Sequence, residues 1–490
     1  MARLIFGARM RSRKEETDAM KFAIAVHGTR GDIEPCAVVA LELIRRGHDV
    51  SMAVPPNLIP FVQACGIGPA LPYGVDSQQQ LEASIFRKSW GIRNPRREWR
   101  ELEDYLSQGW AEMSNALVAL AQDADLILTG TTYQEVAANV AEHLDTPLAS
   151  LHYFPFRANG VMFPRVPGWL AHAIWPMAES LYWRLMKRAD IAQRQALGLP
   201  RTRKRAIRRI VELSAVEIQA YDPLLFDGLA QEWAGRRPLI GSLTLELDTD
   251  SDAHTNSWIA EGKPPIYFGF GSMPVECPAA AVTMITEVCA ELGERALICS
   301  GVWDIPETSS VDVRIVRDIN HAKVFPKCRA VVHHGGAGTT AAGLRAGMPT
   351  FVLWISAEQP LWAKQVTKLG VGTSERFSIA NTESIRTGLQ TVLAPEYRRR
   401  AAKVAEQMRT PRDSVEAAAD LLEAAARDGR AAEPQFIYAG SHRPADRHEH
   451  EMSAAAFDIA RCDVLTDRAH QQVIRFNAVH SSDRRIPVAE

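Results

Sequence analysis

Short apolar runs alternate with longer amphipathic segments along most of the chain, and this alternation occurs twice. From residue 21 an apolar run, a Gly-rich turn and a helical pattern follow one another, and the same order restarts near residue 264. The predicted strands are KFAIAVHG, HDVSMAVP, DADLILTG and PLASLHYF, then PPIYFGFGS, RALICSG, VRIVRDI, AVVHHGG, PTFVLW and GVGTS. Strands that alternate with helices indicate parallel sheets covered on both faces. The pattern therefore predicts an α/β protein with two doubly wound domains in tandem.

The same periodicity predicts where the domains begin and end. We expect an N-terminal domain over residues 20–240 and a C-terminal domain over residues 264–428, whose last helix packs back on the first domain. Residues 241–263 are rich in Ser, Thr and Asp, which is typical of a linker. Residues 1–19 are interpreted as a flexible leader or a mis-assigned start, and residues 429–490 as a poorly ordered tail. Because such sheets bind ligands beyond the carboxyl ends of their strands, we expect a deep cleft between the domains.

Two stretches interrupt the pattern and are predicted to be insertions in the first domain. Residues 87–110 and 156–210 hold six of the eleven tryptophans and a concentration of arginine. One interpretation is a surface for a large amphiphilic acceptor, with the arginines near anionic headgroups. The other is a tryptophan-filled core with solvated arginines.

Composition narrows the class of protein. With 56 basic and 58 acidic residues the net charge is −2, so no global charge argument supports a nucleic-acid partner. The seven cysteines include no C-x-x-C pair, which indicates reduced thiols in a cytosolic protein. No run approaches the about 18 apolar residues of a membrane span, and the N-terminus lacks a secretory signal. We expect a cytoplasmic protein, with peripheral contact at the inner face of a membrane as a further expectation.

A Gly-rich turn from His333 to Thr340 follows an apolar strand and opens a helix. Such a turn leaves backbone N–H groups free at the positive end of the helix dipole, where a diphosphate can bind. We expect Thr339 and Thr340 to donate hydroxyl hydrogen bonds and His334 a charge-assisted one. The alternative is a tight turn with a structural role only. A second turn, Gly269 to Met273, could bring Ser272 to the same phosphates, although a bare G-x-G is also an ordinary turn.

A third turn, in GTRGDIEP, places Arg30, Asp32 and Glu34 at the mouth of the cleft. A desolvated carboxylate there could take a proton from a hydroxyl. The rival role for Asp32 is to cap a helix that begins at Pro35, which spacing alone favours slightly. His27 is predicted to be a packed residue at the strand end.

Two short strings contain residue types that bind metals, but we predict a metal site at neither of them. Asp248-Thr249-Asp250 has the D-x-D form but lies in the predicted linker, and His448-Glu449-His450 lies in the predicted tail. We expect no metal and no other cofactor.

Taken together, the motifs GTRGDIEP, YFGFGSM, SGVWD, INHAKVF, HHGGAGTT and WISAEQPLWA resemble glycosyltransferase family one, over about residues 20–428. The resemblance is to the bacterial branch that glycosylates glycopeptides, macrolides, sterols and mycobacterial glycolipids. It implies a GT-B fold, in which two Rossmann-like domains face each other across a deep cleft. The first domain would bind the acceptor and the second a nucleotide sugar.

The resemblance also implies roles for single residues. Asp32 matches the proposed general base, and Arg30 in the same motif is assigned to substrate binding. The other implied contacts are base stacking by Trp303, reading of the pyrimidine edge at Ile319, diphosphate contacts from Ser272, His334, Gly336, Ala337, Gly338 and Thr339, and sugar hydroxyl contacts from Glu358 and Gln359. Glu358 replaces the usual aspartate, and Ala342 stands where plant members carry a ribose-binding glutamate. The donor sugar and the choice between UDP and dTDP therefore stay open.

The function implied is an inverting, metal-independent transfer of a hexose or deoxyhexose from a UDP- or dTDP-sugar to a hydroxyl. The acceptor would be an amphiphilic small molecule or lipid, with a mycobacterial-type glycolipid as the first choice. The alternatives are a non-catalytic GT-B nucleotide-binding partner of another transferase and a nucleotide-sugar epimerase.

Overall fold

The computed structural model describes residues 19–88, 95–162, 168–213, 215–273, 275 and 277–429, and it describes no side chains within 83–98 and 163–173. The predicted leader, except residue 19, and the predicted tail, except residue 429, lie outside the described residues.

The N-terminal half contains a parallel six-stranded sheet. Its strands are β1 (Lys21–Ala25), β2 (Asp49–Val54), β3 (Ala70–Pro72), β4 (Leu126–Thr129), β5 (Leu148–His152) and β6 (Val216–Gln219). They lie in the order β3-β2-β1-β4-β5-β6, and every neighbouring pair is parallel. The chain changes direction across the sheet between β1 and β4, which is the position where doubly wound sheets bind ligands.

The C-terminal half repeats this arrangement and adds one strand. Its strands are β7 (Ile266–Gly269), β8 (Ala296–Cys299), β9 (Thr308–Ser309), β10 (Val313–Val316), β11 (Ala330–His333), β12 (Thr350–Trp354) and β13 (Gly372–Arg376). The order is β13-β12-β11-β7-β8-β10-β9, with only the short edge strand β9 antiparallel among the described strands of this sheet. Here the reversal falls between β7 and β11.

Helices cover these sheets. The N-terminal half has α1 (Arg30–Arg45), α2 (Ile59–Ala64), α3 (Ser77–Lys88), α4 (Pro95–Ser107), α5 (Trp110–Leu120), α6 (Gln134–Leu144), α7 (Gly168–Ala196), α8 (Ala206–Glu212) and α9 (Leu229–Trp233). The C-terminal half has α10 (Ser251–Ala260), α11 (Pro278–Leu292), α12 (His321–Val324), α13 (Ala337–Arg345), α14 (Gln359–Lys368), α15 (Thr382–Val392), α16 (Pro395–Ala405) and α17 (Pro411–Asp428).

Strand β1 shows why the predicted strands read as continuous apolar runs. Phe22 and Ile24 belong to the hydrophobic cluster on one face of the sheet, whereas Ala23 and Ala25 belong to the cluster on the other. Successive side chains of a strand point to opposite faces, so a strand with helices on both sides buries every residue. The fold class predicted from the pattern is confirmed.

Packing also joins the two halves. The last helix, α17, contacts α1 and contributes Leu422 to the N-terminal cluster, and Arg46 of the N-terminal half pairs with Glu423 at 3.0 Å. Beside the cleft, a second cluster places Phe226 against Trp362, with ring centroids 5.6 Å apart. The two sheets are therefore held together by apolar contacts as well as by the chain itself.

Two features differ from the sequence expectations. All ten predicted strands are present, but β3, β6 and β9 were missed because each is a short strand at the edge of its sheet, where the apolar run is weakest. The predicted linker contains α10, which was missed because its sequence is mostly polar although the side chains of Trp258 and Ile259 are buried.

No helix in the described part of the chain combines the length and the apolarity needed to cross a bilayer.

Candidate active site

A cleft of about 1630 Å³ lies between the carboxyl ends of the two sheets. It is lined by the turns that follow β1 and β5 in the first sheet and β7, β8, β11 and β12 in the second. Single-ligand pockets usually have volumes of about 300–1,000 Å³. The cleft therefore has room for two substrates at once, each bound at the ligand edge of one sheet.

Asp32 lies on the N-terminal wall of the cleft, in the first turn of α1. Its Oδ2 accepts hydrogen bonds from the backbone N–H of Thr29 at 2.8 Å and from Thr29 Oγ1 at 3.3 Å. The expectation that a helix begins at Pro35 was wrong, because α1 begins at Arg30 and Pro35 lies inside it. Asp32 is the third helical residue and takes part in a capping box with Thr29. Asp32 can therefore cap α1 and face the cleft at the same time.

Two neighbours fix the position of this carboxylate. Gly28 has φ of +144°, and a Cβ on it would overlap the carboxylate of Asp32. The hydroxyl of Tyr153 donates a hydrogen bond to the carbonyl oxygen of Asp32 at 2.8 Å. The first turn of α1 is therefore held from both sides.

Both walls carry a carboxyl with a raised pKa. Burial raises the pKa of Asp32 to about 6, and the hydrogen bonds from Thr29 offset part of that rise. On the opposite wall, burial raises the pKa of Glu358 to about 7, and the negative charge of Asp32 adds to the rise. A carboxylate whose pKa lies near neutrality is a better proton acceptor than an ordinary aspartate.

The N-terminus of α13 opens into the cleft from the C-terminal wall. Gly336 is its N-cap residue, and no side chain caps the helix. A Cβ on Gly338 would meet no atom within 4 Å. The cleft is lined here by Gly336, Ala337, Gly338 and Thr339. Free backbone N–H groups at a helix N-terminus attract anions, so this turn has the form of a phosphate site.

The surroundings of Thr340 and His334 bear on the hydrogen bonds expected of them. Thr340 Oγ1 donates to the carbonyl of Gly336 at 2.8 Å and is turned away from the cleft, so the expected ligand hydrogen bond is open only to Thr339. Burial lowers the pKa of His334 to about 4. Because burial disfavours the charged imidazole, we expect His334 to donate an ordinary hydrogen bond, and the charge-assisted one stays a prediction.

Two Gly turns close around the ring of His334. A Cβ on Gly336 would lie 2.6 Å from His334 Nε2, and a Cβ on Gly271 would lie 2.9 Å from Cε1. Ser272 follows Gly271 and lines the cleft, so the structure brings it to the same wall as the α13 turn.

Trp303 is not brought to the cleft. Its ring stacks on Phe270, with centroids 4.8 Å apart and an angle of 16°, and its Nε1 donates to the carbonyl of Met273 at 3.0 Å. The side chain is only 6% exposed and does not line the cleft. The stacking role expected for Trp303 was wrong for this arrangement. Val302 and Ile319 line the cleft at this end.

Glu358 and Gln359 both line the cleft and have different surroundings. The Oε1 of Gln359 accepts hydrogen bonds from the backbone N–H groups of Ile355, at 2.7 Å, and Ser356, at 3.1 Å. The amide oxygen of Gln359 therefore closes the turn before α14, while Glu358 presents a carboxyl to the cleft.

Arg30 lines the N-terminal wall beside Asp32. Its Nε donates to Glu34 at 3.3 Å, and its guanidinium lies 4.7 Å from the ring centroid of Phe61. The pKa of His321 on the opposite wall is lowered to about 4 by burial and, secondly, by the charge of Arg30. The positive potential of Arg30 therefore extends across the cleft.

Sequence analysis missed the aromatic and aliphatic part of the N-terminal wall, formed by Leu58, Phe154, Phe156, Met162 and Tyr182. The available signal was the Phe-Pro-Phe string directly after β5. None of the described insertion tryptophans, Trp99, Trp110, Trp175 and Trp183, lines the cleft. Trp110 is instead buried and donates from Nε1 to Gln193 at 2.9 Å. The core interpretation is favoured for Trp110, whereas Trp99, Trp175 and Trp183 are half-buried.

The candidate metal strings do not form a cluster in the part of the chain that the structure describes. Asp248 pairs with Lys323 at 2.5 Å and accepts from Asn320 at 3.2 Å. Among described residues, no group of three or more His, Cys, Asp or Glu side chains could hold a metal ion. His448-Glu449-His450 lies outside the described residues.

Comparisons with known proteins agree with this arrangement. The model of the C-terminal domain of erythromycin biosynthesis protein CIII-like proteins matches residues 279–424. A protein of Mycobacterium tuberculosis (strain H37Rv), named an uncharacterized glycosyltransferase, is 55% identical over 415 residues, or 84% of this chain and 100% of the relative. The vancomycin aglycone glucosyltransferase of Amycolatopsis orientalis is 28% identical over 429 residues, or 84% of this chain and 98% of the relative. The structure of CalG4, the calicheamicin glycosyltransferase, has a TM-score of 0.61 at 19% identity and covers 85% of this chain and 100% of its own.

Proposed function

Because the chain belongs to glycosyltransferase family one and has its GT-B fold, we propose that it transfers a hexose or deoxyhexose from a UDP- or dTDP-sugar to a hydroxyl, with inversion. The observation that carries the proposal is the pair of features that face one cleft. Asp32, with its raised pKa, lies on one wall, and the uncapped N-terminus of α13 lies on the other.

In the proposed step Asp32 takes the proton from the acceptor hydroxyl as its oxygen attacks the anomeric carbon. The bond from that carbon to the diphosphate oxygen breaks, and the electron pair leaves with the diphosphate. Attack from the face opposite the leaving group inverts the anomeric carbon. A positioned base of this kind contributes about 10²–10⁴-fold in rate.

The leaving diphosphate is assigned to the α13 turn. Backbone N–H groups and the helix dipole would stabilise its developing charge, and each well-placed donor is worth about 3 kcal/mol. Thr339, Ser272 and the neutral His334 would add side-chain hydrogen bonds. Arg30 would contribute positive potential from the other wall.

The rest of the donor would extend to either side of this turn. Val302 and Ile319 are proposed to flank the nucleobase, and Glu358 to read the sugar hydroxyls with Gln359. A glutamate in this position reaches one methylene further than an aspartate, so the identity of the sugar is left to the donor panel below.

The acceptor would bind on the N-terminal wall. Phe154, Phe156, Met162 and Tyr182 form an apolar surface beside Asp32, which suits a large amphiphilic molecule with one hydroxyl directed at the base. The vancomycin aglycone named in the relative's title is a bulky natural product, which supports an acceptor of that size. A mycobacterial-type glycolipid is proposed first, with the enzyme in the cytoplasm.

The experiment is a donor and acceptor panel with a base variant. UDP- and dTDP-sugars are titrated into the protein by calorimetry, and each binder is then assayed for transfer to sterols, glycopeptide aglycones and mycobacterial lipid extracts. In Asp32→Asn we expect kcat to fall about 10²–10⁴-fold with unchanged donor affinity. The exposed Asp104→Asn is the matched control and keeps full activity.

Full transfer by Asp32→Asn would contradict the base assignment. Failure of every sugar nucleotide to bind would contradict the transferase proposal and favour a non-catalytic role. Conversion of the nucleotide sugar without any acceptor would indicate an epimerase.

A further inference from the structure

The outer face of α7 carries an exposed stripe, which we call the α7 stripe. It consists of Met177, Leu181, Arg184, Arg188 and Ile191. Their spacing of four, three, four and three residues places all five on one face of a helix. Met177 is 73% exposed, Leu181 52% and Ile191 46%. At 1.5 Å per residue the stripe is about 21 Å long.

The exposed charged side chains that the described part of α7 itself carries on this face are all cations. Arg184 and the flanking Lys187 make no ion pair among the described residues, and Arg188 stays 80% exposed despite a 3.5 Å contact with Glu103. The described part of α7 has two acidic residues. Glu179 is half-buried, and Asp190 is buried against Arg209. No fully exposed carboxylate on the described part of α7 therefore balances these cations.

A second basic segment continues the positive face. Arg205 donates from Nη1 to the carbonyl of Pro176 at 3.1 Å, which places the segment before α8 next to the start of the stripe. Arg201 and Arg203 of that segment are exposed. The apolar end of the stripe is thus bordered by additional arginines.

The opposite face of α7 belongs to the cleft. Tyr182 lines the cleft, and its ring packs against Phe156 with centroids 6.1 Å apart. One helix therefore has an inner face toward the proposed acceptor wall and an outer face of exposed apolar and cationic side chains.

We propose that the α7 stripe docks on a bilayer surface that contains anionic lipids. Met177, Leu181 and Ile191 would enter the boundary between headgroups and acyl chains, and the arginines and Lys187 would meet the lipid phosphates. Docking would place the acceptor wall close to a membrane that holds an amphiphilic acceptor. Only that last consequence rests on the proposed function, because the docking itself involves neither donor nor acceptor.

The test is cosedimentation of the full chain with vesicles in the absence of any sugar nucleotide. Vesicles of equimolar phosphatidylcholine and phosphatidylglycerol are compared with phosphatidylcholine alone. We expect at least tenfold stronger binding to the anionic vesicles, and weaker binding as salt is raised, because surface charges are screened. Each cation at an anionic surface contributes about fivefold.

Two double variants separate the contribution of the cationic side chains to vesicle binding from that of the apolar side chains. Arg184→Glu with Lys187→Glu is expected to lower binding to anionic vesicles more than tenfold, and Met177→Gln with Leu181→Gln severalfold. The matched control is Arg399→Glu with Lys403→Glu on α16, which changes the net charge equally and alters two exposed cations of the C-terminal half. Its vesicle binding stays within twofold of the unmodified chain. Thermal unfolding and calorimetric nucleotide binding check that all three variants are folded.

Several results would overturn the proposal. They are absence of vesicle binding, equal binding to neutral and anionic vesicles, and an equal loss in the α16 control. Self-association that disappears in Met177→Gln with Leu181→Gln would assign the stripe to a second copy of the chain instead. If vesicle binding follows expectation while no sugar nucleotide binds, the transferase proposal fails and the docking surface stands.

Discussion

Two turns that face each other across the cleft follow the same local plan and differ at the residues that matter for anions. His27-Gly28-Thr29-Arg30-Gly31-Asp32 follows β1 and opens α1, and His334-Gly335-Gly336-Ala337-Gly338-Thr339 follows β11 and opens α13. In each turn the histidine is surrounded by protein and has a pKa lowered to about 4 by burial. Each glycine after it has a positive φ, and each helix has a glycine as its second residue.

The difference lies in what occupies the helix N-terminus. In α1 the third residue is Asp32, whose carboxylate accepts the N–H of the N-cap residue. In α13 the third residue is Thr339 and the N-cap is Gly336, so no side chain fills the position. A helix N-terminus attracts negative charge from any source. The N-terminal turn therefore carries its own carboxylate, whereas no side chain occupies the corresponding position of the C-terminal turn.

The largest effect on ligand binding should come from giving the α13 turn a carboxylate at the position that Asp32 occupies in the α1 turn. Thr339→Asp places a carboxylate at the third position of α13, where it meets the proposed diphosphate site. Two unit charges 4 Å apart interact by about 4 kcal/mol at an effective dielectric constant of 20. We expect donor affinity to fall at least a hundredfold by calorimetry, while the neutral control Thr339→Asn loses less than tenfold. Equal affinity in Thr339→Asp and the unmodified chain would contradict the placement of the diphosphate.

Displacing the Asp32 carboxylate in the first turn should lower kcat and leave the affinity for the sugar nucleotide unchanged. In Gly28→Ala the new Cβ overlaps the Asp32 carboxylate, and the backbone angle of +144° disfavours a side chain. We expect kcat to fall about ten- to a hundredfold, less than the about 10²–10⁴-fold expected for a lost base, because Asp32 is displaced and not removed, with donor affinity unchanged. The control is Gly31→Ala, where the nearest atom to a Cβ is 3.7 Å away. Loss of donor binding in Gly28→Ala would show that the two turns are not independent.

The acid limb of activity should report Asp32 of the first turn when it is measured in Glu358→Gln, because Glu358, whose pKa is raised to about 7, then no longer titrates in the same range. Asp32 must be ionised to act as a base, and its pKa is raised to about 6. We therefore expect kcat/KM to fall tenfold for each pH unit below about 6, because only the ionised fraction of the free enzyme reacts. Donor affinity of the same Glu358→Gln variant, measured over the same pH range, stays level until the histidines titrate. A limb near pH 4 instead would show that burial does not raise the pKa of Asp32 in solution.

The smallest effect is on stability. A buried acid whose pKa is raised in the folded state costs stability at pH values above that pKa, and this cost fades as pH falls toward the unfolded value near 4. Asp32→Asn removes the charge, so we expect the Tm of the N-terminal half to rise by about 2–4 °C at pH 8, as for a gain of about 1 kcal/mol in a domain of about 150–250 residues, and by less at pH 4.5. Calorimetric unfolding of both proteins at both pH values tests this. A lower Tm at pH 8 would mean that the cap stabilises α1 more than burial of the charge costs.

Sequence patterns predicted the strands and the Gly-rich turns, because these features depend on residues that are close together along the chain. A glycine with positive φ before a helix, a strand buried on both faces and a Gly-rich N-terminus follow from neighbours along the chain. The failures occurred where packing from elsewhere decides. Trp303 and Val302 are adjacent, yet Phe270 takes the ring of Trp303 and leaves Val302 at the cleft. The aromatic wall at Phe156 and Tyr182 depends on α7, whose position no local pattern specifies.

The local sequence specifies two strand-turn-helix units, each with a turn at a helix N-terminus, because backbone conformation and helix capping depend on residues a few positions apart. How the two turns are used depends on packing between segments that are distant along the chain. That packing raised the pKa of Asp32 to about 6 and lowered the pKa of His334 to about 4, through burial by distant segments. It also turned Thr340 inward and left Thr339 at the cleft. Electrostatic environment and side-chain direction depend on which surfaces meet across the cleft, and that information is not carried by any single stretch of the chain.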